Sequence, residues 1–441
     1  MKTIVALSTP PMNGAIHIIR ISGSKAFYII NKVTNKKIVK KGFCIQKAKI
    51  LDKWEVIDYV LINTFVSPKS YTGEDLIEIN CHGGYYLANK IIQLLIRHGC
   101  TLALAGEFTQ RAYMNNKLSI HEAESINNLI NATSEKAITL ANIGLNVNTL
   151  NKLKQFRENL FQLIGQVEVN IDYPEFDDVP NITVKQFQRK IDMFTKIAEK
   201  MIENSTKAIS IFEGIKVVII GRPNVGKSSL FNALLNQPRA IVSNIPGTTR
   251  DMIDAHINLN GTMINLIDTA GMHFSKNEIE KMGIKKTIES LQKANLILWV
   301  IDGSKALNRQ DKQIQRQLFD KKYIIVINKN DLVSKVAIKG IRVSAKLNKI
   351  DNLIDSLIRK LQTEINIDYN DIVLQSTTSI GYMQQIVEEF KNIKILINKK
   401  QPLDLTMQHL HEALINIDSI LGKGKEYNFY NELFRKFCVG K

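Results

Sequence analysis

A chain of 441 residues, 44% hydrophobic and 23% charged, is too long for one core and too apolar to remain disordered, so it folds as several globular modules. No apolar run reaches the roughly 18 residues that span a bilayer, and the apolar start Ile4 to Leu7 is cut short by Pro10 and Pro11. That predicts a soluble, cytoplasmic protein with no secretion signal and no membrane insertion. The formal net charge of +17 favours a polyanionic partner, nucleic acid first; yet 46 of the 59 basic residues are lysines, which A+T-biased coding also produces, and both readings stand. Cys44, Cys81, Cys100 and Cys438 show no C-x-x-C spacing, which excludes a disulfide framework and a structural zinc site.

In chain order, residues 1–118 mix strand-like runs (Ile16 to Ile21, Val56 to Val66, Leu76 to Ile79) with turns at Thr72-Gly73 and Gly83-Gly84, which predicts an α+β domain. Residues 119–212 turn helical, with Ile120, Ala123, Ile126 and Ile130 on one face and a break from Pro174 to Pro180. Over 213–364, short apolar strands (Lys216 to Ile220, Ile264 to Ile267, Leu296 to Ile301, Tyr323 to Ile327, Ile341 to Val343) alternate with amphipathic stretches. That pattern predicts a mainly parallel α/β domain. In 365–441, Met407, Leu410, Leu414, Ile417 and Leu421 recur at helical steps, and Gly422 stands where a helix cap belongs. The fold class is therefore multidomain α/β: an N-terminal α+β domain, an all-α helical domain drawn from both flanks, and a P-loop (Ras-like) α/β domain inserted between its halves.

Gly221-Arg222-Pro223-Asn224-Val225-Gly226-Lys227-Ser228 follows a strand and opens an amphipathic stretch, the context of a phosphate loop. Its backbone from Asn224 through Val225 and Gly226 to Ser229 cradles phosphates, Lys227 neutralises them, and Ser228 offers its hydroxyl to Mg²⁺. Thr249 in Gly247-Thr248-Thr249-Arg250 is the second Mg²⁺ candidate. Asp268-Thr269-Ala270-Gly271 and Asn328-Lys329-Asn330-Asp331 follow strands in the right order. Asp331 can accept from guanine's ring N–H and amine, whereas adenine would set an acceptor against the carboxylate. Asn328 and Lys329 brace the base, and Ser344-Ala345-Lys346 closes the site. The nucleotide is GTP.

These motifs resemble translation-factor-type GTPases, where a glutamine follows D-x-x-G and orients water; Met272 stands there and cannot. Either the chain only binds GTP or another group positions water. Glu280 is the preferred candidate, against its reading as a solvated helix charge. No arginine of the phosphate loop obviously supplies a finger. In the resembling subfamily, an asparagine at the position of Asn224 helps bind K⁺, with oxygens from the loop Ser243, Asn244, Ile245, Pro246, Gly247, Thr248 and Thr249. Among these, the resemblance implies Ser243, Ile245 and Thr248 as K⁺ contacts beside Asn224. Arg250 reads equally as a catalytic charge or as a pin for the switch loop.

The flanks carry Pro10-Pro11, Gly14, Arg20-Ile21-Ser22-Gly23, Tyr71-Thr72-Gly73-Glu74-Asp75, Cys81-His82-Gly83-Gly84, Gly106-Glu107-Phe108-Thr109, Arg111-Ala112 and Phe437-Cys438-Val439-Gly440-Lys441. With these, the whole chain resembles the TrmE-type tRNA-modification GTPases. The resemblance implies that the N-terminal domain holds 5-formyl- or 5,10-methylene-tetrahydrofolate through Arg20, Glu78, Lys117 and Lys441 and also makes a homodimer. It implies, too, a flavoprotein partner, MnmG (GidA), joined in a heterotetramer. The implied product is a carboxymethylaminomethyl or aminomethyl group at carbon 5 of the wobble uridine of certain tRNAs. Cys438 reads either as a nucleophile near the one-carbon donor or as buried packing. Residues 150–212 and 365–436 match in pattern only, with the acidic-aromatic stretch Asp172 to Asp178 as the firmest landmark. Two rivals remain: an Era-type or double-G-domain ribosome-assembly GTPase, and a non-catalytic GTP switch.

Overall fold

The computed structural model describes residues 1–172, 183–237, 241–242, 254–268, 291–292, 294–422 and 440. The chain divides into two compact units, Met1–Asn127 with Leu414–Lys441, and Asn128–Ala413.

The first unit contains β1 (Ile4–Leu7), β2 (Ile16–Ser22), α1 (Ala26–Val33), β3 (Cys44–Asp52), β4 (Glu55–Phe65), β5 (Leu76–His82), α2 (Tyr85–Arg97), β6 (Thr101–Leu102) and α3 (Glu107–Met114). The strands form one sheet in the order β3-β4-β5-β2-β1-β6. Period-two alternation decides which side chains enter the core. In β2, His17, Ile19 and Ile21 are buried, and Ile19 and Ile21 join Ile29 and Ile30 of α1 and Ile91 and Leu95 of α2 in a single apolar cluster. Arg20 points to the opposite face of the sheet, and the antiparallel register sets it directly against Glu78 of β5.

Helix α4 (Ile120–Ile130) leads onward from this unit. Its His121 is 1% exposed, and both ring nitrogens are buried without a hydrogen-bond partner among the described residues. Burial pushes its pKa from the ordinary 6.5 down to about 4, against a smaller opposing pull from Glu122. Between those values the unfolded chain takes up a proton that the folded one refuses, so stability is lost as pH falls. The loss approaches roughly 3 kcal/mol at the lower end. Urea unfolding followed from pH 7 to pH 4.5 should therefore show a shallower pH slope for His121→Asn than for the parent; equal slopes would assign the acid sensitivity to other groups.

The second unit contains α5 (Glu135–Gly144), α6 (Val147–Asp172), α7 (Val184–Glu213), β7 (Ile215–Ile220), α8 (Lys227–Leu235), β8 (Ile241–Val242), β9 (Asp254–Leu259), β10 (Thr262–Asp268), β11 (Leu296–Asp302), α9 (Arg309–Gln317), β12 (Tyr323–Asn328), β13 (Ile341–Arg342), α10 (Asp351–Glu364) and α11 (Thr377–Asn398). Helix α12 (Met407–Ile420) follows. It ends as expected at Gly422, whose φ of +77° suits glycine and whose N–H donates to Ser419 O.

The sheet order is β13-β12-β11-β7-β10-β9-β8, with the β8–β9 and β9–β10 pairs antiparallel and the other neighbouring pairs parallel. A parallel strand covered on both faces needs apolar side chains throughout. β7 shows this: Val217 and Ile219 enter one core, Val218 and Ile220 the other. The first of these cores also takes in Ala137 and Leu140 of α5 and Ala208 and Ile211 of α7. Helices read from sequence as a separate module thus share apolar packing with the α/β sheet.

Candidate nucleotide site

Chain order steps to opposite sides of β7 between β10 and β11, which makes the carboxyl end of β7 the place where a doubly wound sheet binds its ligand. The Gly221–Gly226 turn lies there and hands over to α8 at Lys227. A Cβ on Gly221 would lie 2.4 Å from Val300 O, and one on Gly226, where φ is +94°, would lie 2.3 Å from Asn328 Nδ2. Only glycine lets the loop run this close to the strand ends. Asn224 takes the left-handed region, with φ of +63°.

The loop is fixed from several sides. The Lys227 ammonium donates to Gly221 O at 2.9 Å and Arg222 O at 3.1 Å, so its charge sits in the curve of the loop. Asn328 is 3% exposed; its amide donates to Val225 O at 2.9 Å, and its Oδ1 accepts from Ala345 N at 3.0 Å. Lys329 donates to Asn224 O at 2.9 Å and pairs with Asp302 at 2.7 Å. Residues read from three separate motifs are therefore in mutual contact. At the base end, Ser344 donates to Asp331 Oδ1 at 2.6 Å, and both line a cavity of about 510 Å³ with Asn330, Leu347 and Lys349. That hydrogen bond, with the backbone N–H of Asp331 and the charges of Lys346 and Lys329 behind it, holds the Asp331 carboxyl below the usual carboxylate range.

Two participants escaped sequence reasoning. Asp302, 2% exposed at the end of β11, accepts from Ser304 N at 3.0 Å and Ser304 Oγ at 2.6 Å as well as from Lys329. Burial works against its charge, but the Lys329 and Ser304 hydrogen bonds prevail and keep its pKa low. The signal was an acid at the carboxyl end of a parallel strand. Arg222 turns to the fully buried Asp311, with Nε 3.3 Å from Oδ2, while Asp311 also accepts from Asn308 N to cap α9. Arg222 thus forms an ion pair with the residue that caps α9.

Ser228 and Ser229 stand exposed in the first turn of α8, which contains no acidic residue. That end suits an anion with its counter-cation. Ser243, Asn244, Ile245, Pro246, Gly247, Thr248, Thr249, Arg250, Thr269, Ala270, Gly271, Met272 and Glu280 lie outside the described residues. So do Cys438, Lys441 and the side chain of Asp268, although Asp268 closes β10.

A second polar cluster occupies the first unit. Arg20 donates from Nε (3.0 Å) and Nη2 (2.7 Å) to Glu78 Oε1, and from Nη1 to Gly440 O at 3.0 Å. Its guanidinium carbon lies 5.7 Å from the ring centres of both Tyr71 and Phe108. Ser8 Oγ also donates to Gly440 O, so the residue before Lys441 is held beside two proposed folate contacts. Lys117 is exposed, and its side chain lies close to Gly73. Cys81 and Cys100 are buried thiols, pushed up to about 11 and about 12 chiefly by burial, which makes them poor nucleophiles.

A family model described as GTP-binding protein TrmE N-terminus matches residues 3–117, and one described as 50S ribosome-binding GTPase matches residues 216–329. End to end, the chain is 43% identical over 441 residues to a tRNA modification GTPase MnmE of Ureaplasma parvum serovar 3 (strain ATCC 700970), covering 100% of both chains. The chain belongs to the MnmE family of tRNA modification GTPases. A Malacoplasma penetrans MnmE is 42% identical, covering 100% of this chain and 99% of its own, and a Mycoplasma genitalium MnmE is 40% identical, covering 99% of each. The α/β sheet that carries the phosphate loop is therefore the GTPase domain of an MnmE-family chain, and the first unit contains the family's N-terminal domain. Among the described residues, no helix is long and apolar enough to cross a membrane.

Proposed function

We propose that this chain hydrolyses GTP in the addition of a carboxymethylaminomethyl or aminomethyl group to carbon 5 of the wobble uridine of certain tRNAs. In this reading it acts in the cytoplasm as a homodimer, joins MnmG in a heterotetramer, and draws one carbon from 5-formyl- or 5,10-methylene-tetrahydrofolate. The observation that carries the proposal is the interlock of Asn328, Lys329 and the phosphate loop in a chain similar throughout its length to tRNA modification GTPases.

Within the site, Asp331 receives the guanine N–H groups, Ser344 keeps that carboxylate ionised and aimed, and Lys227 balances phosphate charge. Bound Mg²⁺ and K⁺ supply cationic stabilisation of the transferring phosphoryl group. Ser228 and Thr249 are the residues for Mg²⁺, and Asn224, Ser243, Ile245 and Thr248 those for K⁺; the left-handed Asn224, exposed on the rim of the loop, supports that role. Glu280 orients the water that Met272 cannot, and Arg250 either supplies charge at the phosphates or pins the switch loop. Arg20, Glu78, Lys117 and Lys441 form the folate site, supported by the Arg20–Glu78–Gly440 cluster. Cys438 is kept as a candidate nucleophile for the one-carbon step.

Replacing Na⁺ by K⁺ should raise hydrolysis about tenfold or more, since a cation at the phosphates does the work of a finger; Asn224→Ala should remove most of that response, and equal rates in both salts would eliminate K⁺ from the mechanism. Mass spectrometry of tRNA nucleosides from cells lacking the protein tests the function itself. Loss of the wobble-uridine modification is expected, and its persistence would refute the proposal.

A further inference from the structure

Between residues 25 and 53 the sequence holds nine lysines against a single acid, Asp52, a surplus of eight in a chain whose net charge is +17. A+T-biased coding raises lysine everywhere; it does not gather it in one stretch. The fold arranges this stretch along one edge of the first unit. After α1, Thr34 bridges to Ile50, Asn35 exchanges hydrogen bonds with Lys49, and the Gln46 amide brackets Val39 from both sides. The segment bearing Lys36 and Lys37 is thereby held alongside β3.

Lysines on an edge strand ordinarily guard it against pairing with another chain. Here the chain's own segment already engages that edge, so guarding does not explain the surplus. Nor does it explain the aromatic residues. Lys47 and Lys49 point outward from β3, and Lys49 lies across from Tyr59 of β4 in register, its ammonium 5.0 Å from the ring centre. Tyr59 is 54% exposed, and Trp54, in the hairpin turn, is 96% exposed. Of the nearby acids, Asp52 is engaged by Arg97 and Asp75 by Lys40; Glu55, exposed at the start of β4, is the exception.

We propose that the outward face and turn of the β3–β4 hairpin, with its lysine-bearing edge, is a docking surface for unpaired nucleotides of tRNA. Lys36, Lys37, Lys47 and Lys49 meet the phosphates, while Trp54 and Tyr59 stack on splayed bases. Exposed rings set among cations are what single-stranded RNA selects, because bases offer flat faces and the backbone offers charge. The proposal rests on the tRNA-modification reading and adds where this chain grips its RNA.

The test is binding of a fluorescently labelled tRNA transcript to the full chain, measured by anisotropy from 50 to 200 mM KCl. Changing Lys36, Lys37, Lys47 and Lys49 together to Gln should weaken binding roughly 10- to 100-fold at 100 mM salt and flatten the log–log salt slope by about 2 to 4. Trp54→Ala with Tyr59→Ala should cost roughly 30-fold or more with the salt slope unchanged, because stacking releases no counterions. GTP hydrolysis without tRNA and circular dichroism should match the parent in both variants. Parental affinity in both variants overturns this surface alone, whereas a parent that binds no tRNA overturns the surface together with a direct grip on RNA by this chain. Lost binding to phosphatidylserine vesicles with tRNA affinity kept would make the face a membrane contact and overturn the proposal. So would a dimer that dissociates in the Trp54/Tyr59 variant while tRNA affinity holds.

Discussion

Asp331→Asn should lower affinity for GTP and GDP by roughly 10²- to 10⁴-fold and raise affinity for xanthine nucleotides. The carboxylate is positioned by Ser344 Oγ at 2.6 Å and stays ionised well below neutral pH. It can therefore accept two hydrogen bonds from guanine, each charge-assisted and worth about 1.5–3 kcal/mol. An asparagine keeps one acceptor, which Ser344 can still hold, but sets an N–H₂ group against guanine's amine. Xanthine carries a carbonyl where guanine carries that amine, so the same substitution turns a clash of donors into a hydrogen bond. Titration with fluorescent guanine and xanthine nucleotides reads both changes. Undiminished GTP affinity would move the base away from Asp331 and the cavity beside it.

Legibility in the sequence followed burial geometry. Strands β7, β11 and β12 were legible because a parallel strand covered on both faces carries an unbroken apolar run, as in Val217 to Ile220 and Leu296 to Ile301. The motifs after them were legible because glycine and lysine spacing is dictated by phosphate. Strand β3 was not, since Lys47 and Lys49 occupy its outward positions and interrupt any apolar run. Asp302 and the Arg222–Asp311 pair were missed for a different reason. Each is a lone charge whose partner is chosen by strand order and loop closure, and neither leaves a periodic trace. Arg20 and Glu78 fall between these cases: the resemblance implies both as folate contacts, and only the register of β2 against β5 shows them bonded to each other. The shared packing of α5 and α7 with the GTPase sheet was equally invisible, because an amphipathic helix declares that it has an apolar face but not what covers it.

That same dependence on closure makes Gly226 the most sensitive position of the phosphate loop. Any Cβ there would come within 2.3 Å of Asn328 Nδ2, at a φ of +94° that other residues resist. Asn328 cannot yield cheaply, because its side chain joins Val225 O to Ala345 N from a buried position. Displacing it leaves two buried backbone groups without partners, at about 1–3 kcal/mol each, in addition to roughly 1–2 kcal/mol of left-handed strain. Gly226→Ala should therefore reduce guanine-nucleotide affinity by about 10³-fold or more while β7 and its neighbours stay folded. Asn328→Ala removes the obstacle and the tie together, so it should also weaken binding. Because both substitutions break one connection, the double variant should bind about as poorly as the worse single one, a coupling of more than about 1 kcal/mol. Calorimetric titration of the four proteins with GDP decides the point: losses that simply add would mean that Gly226 and Asn328 act on the nucleotide independently and that the contact between them is incidental.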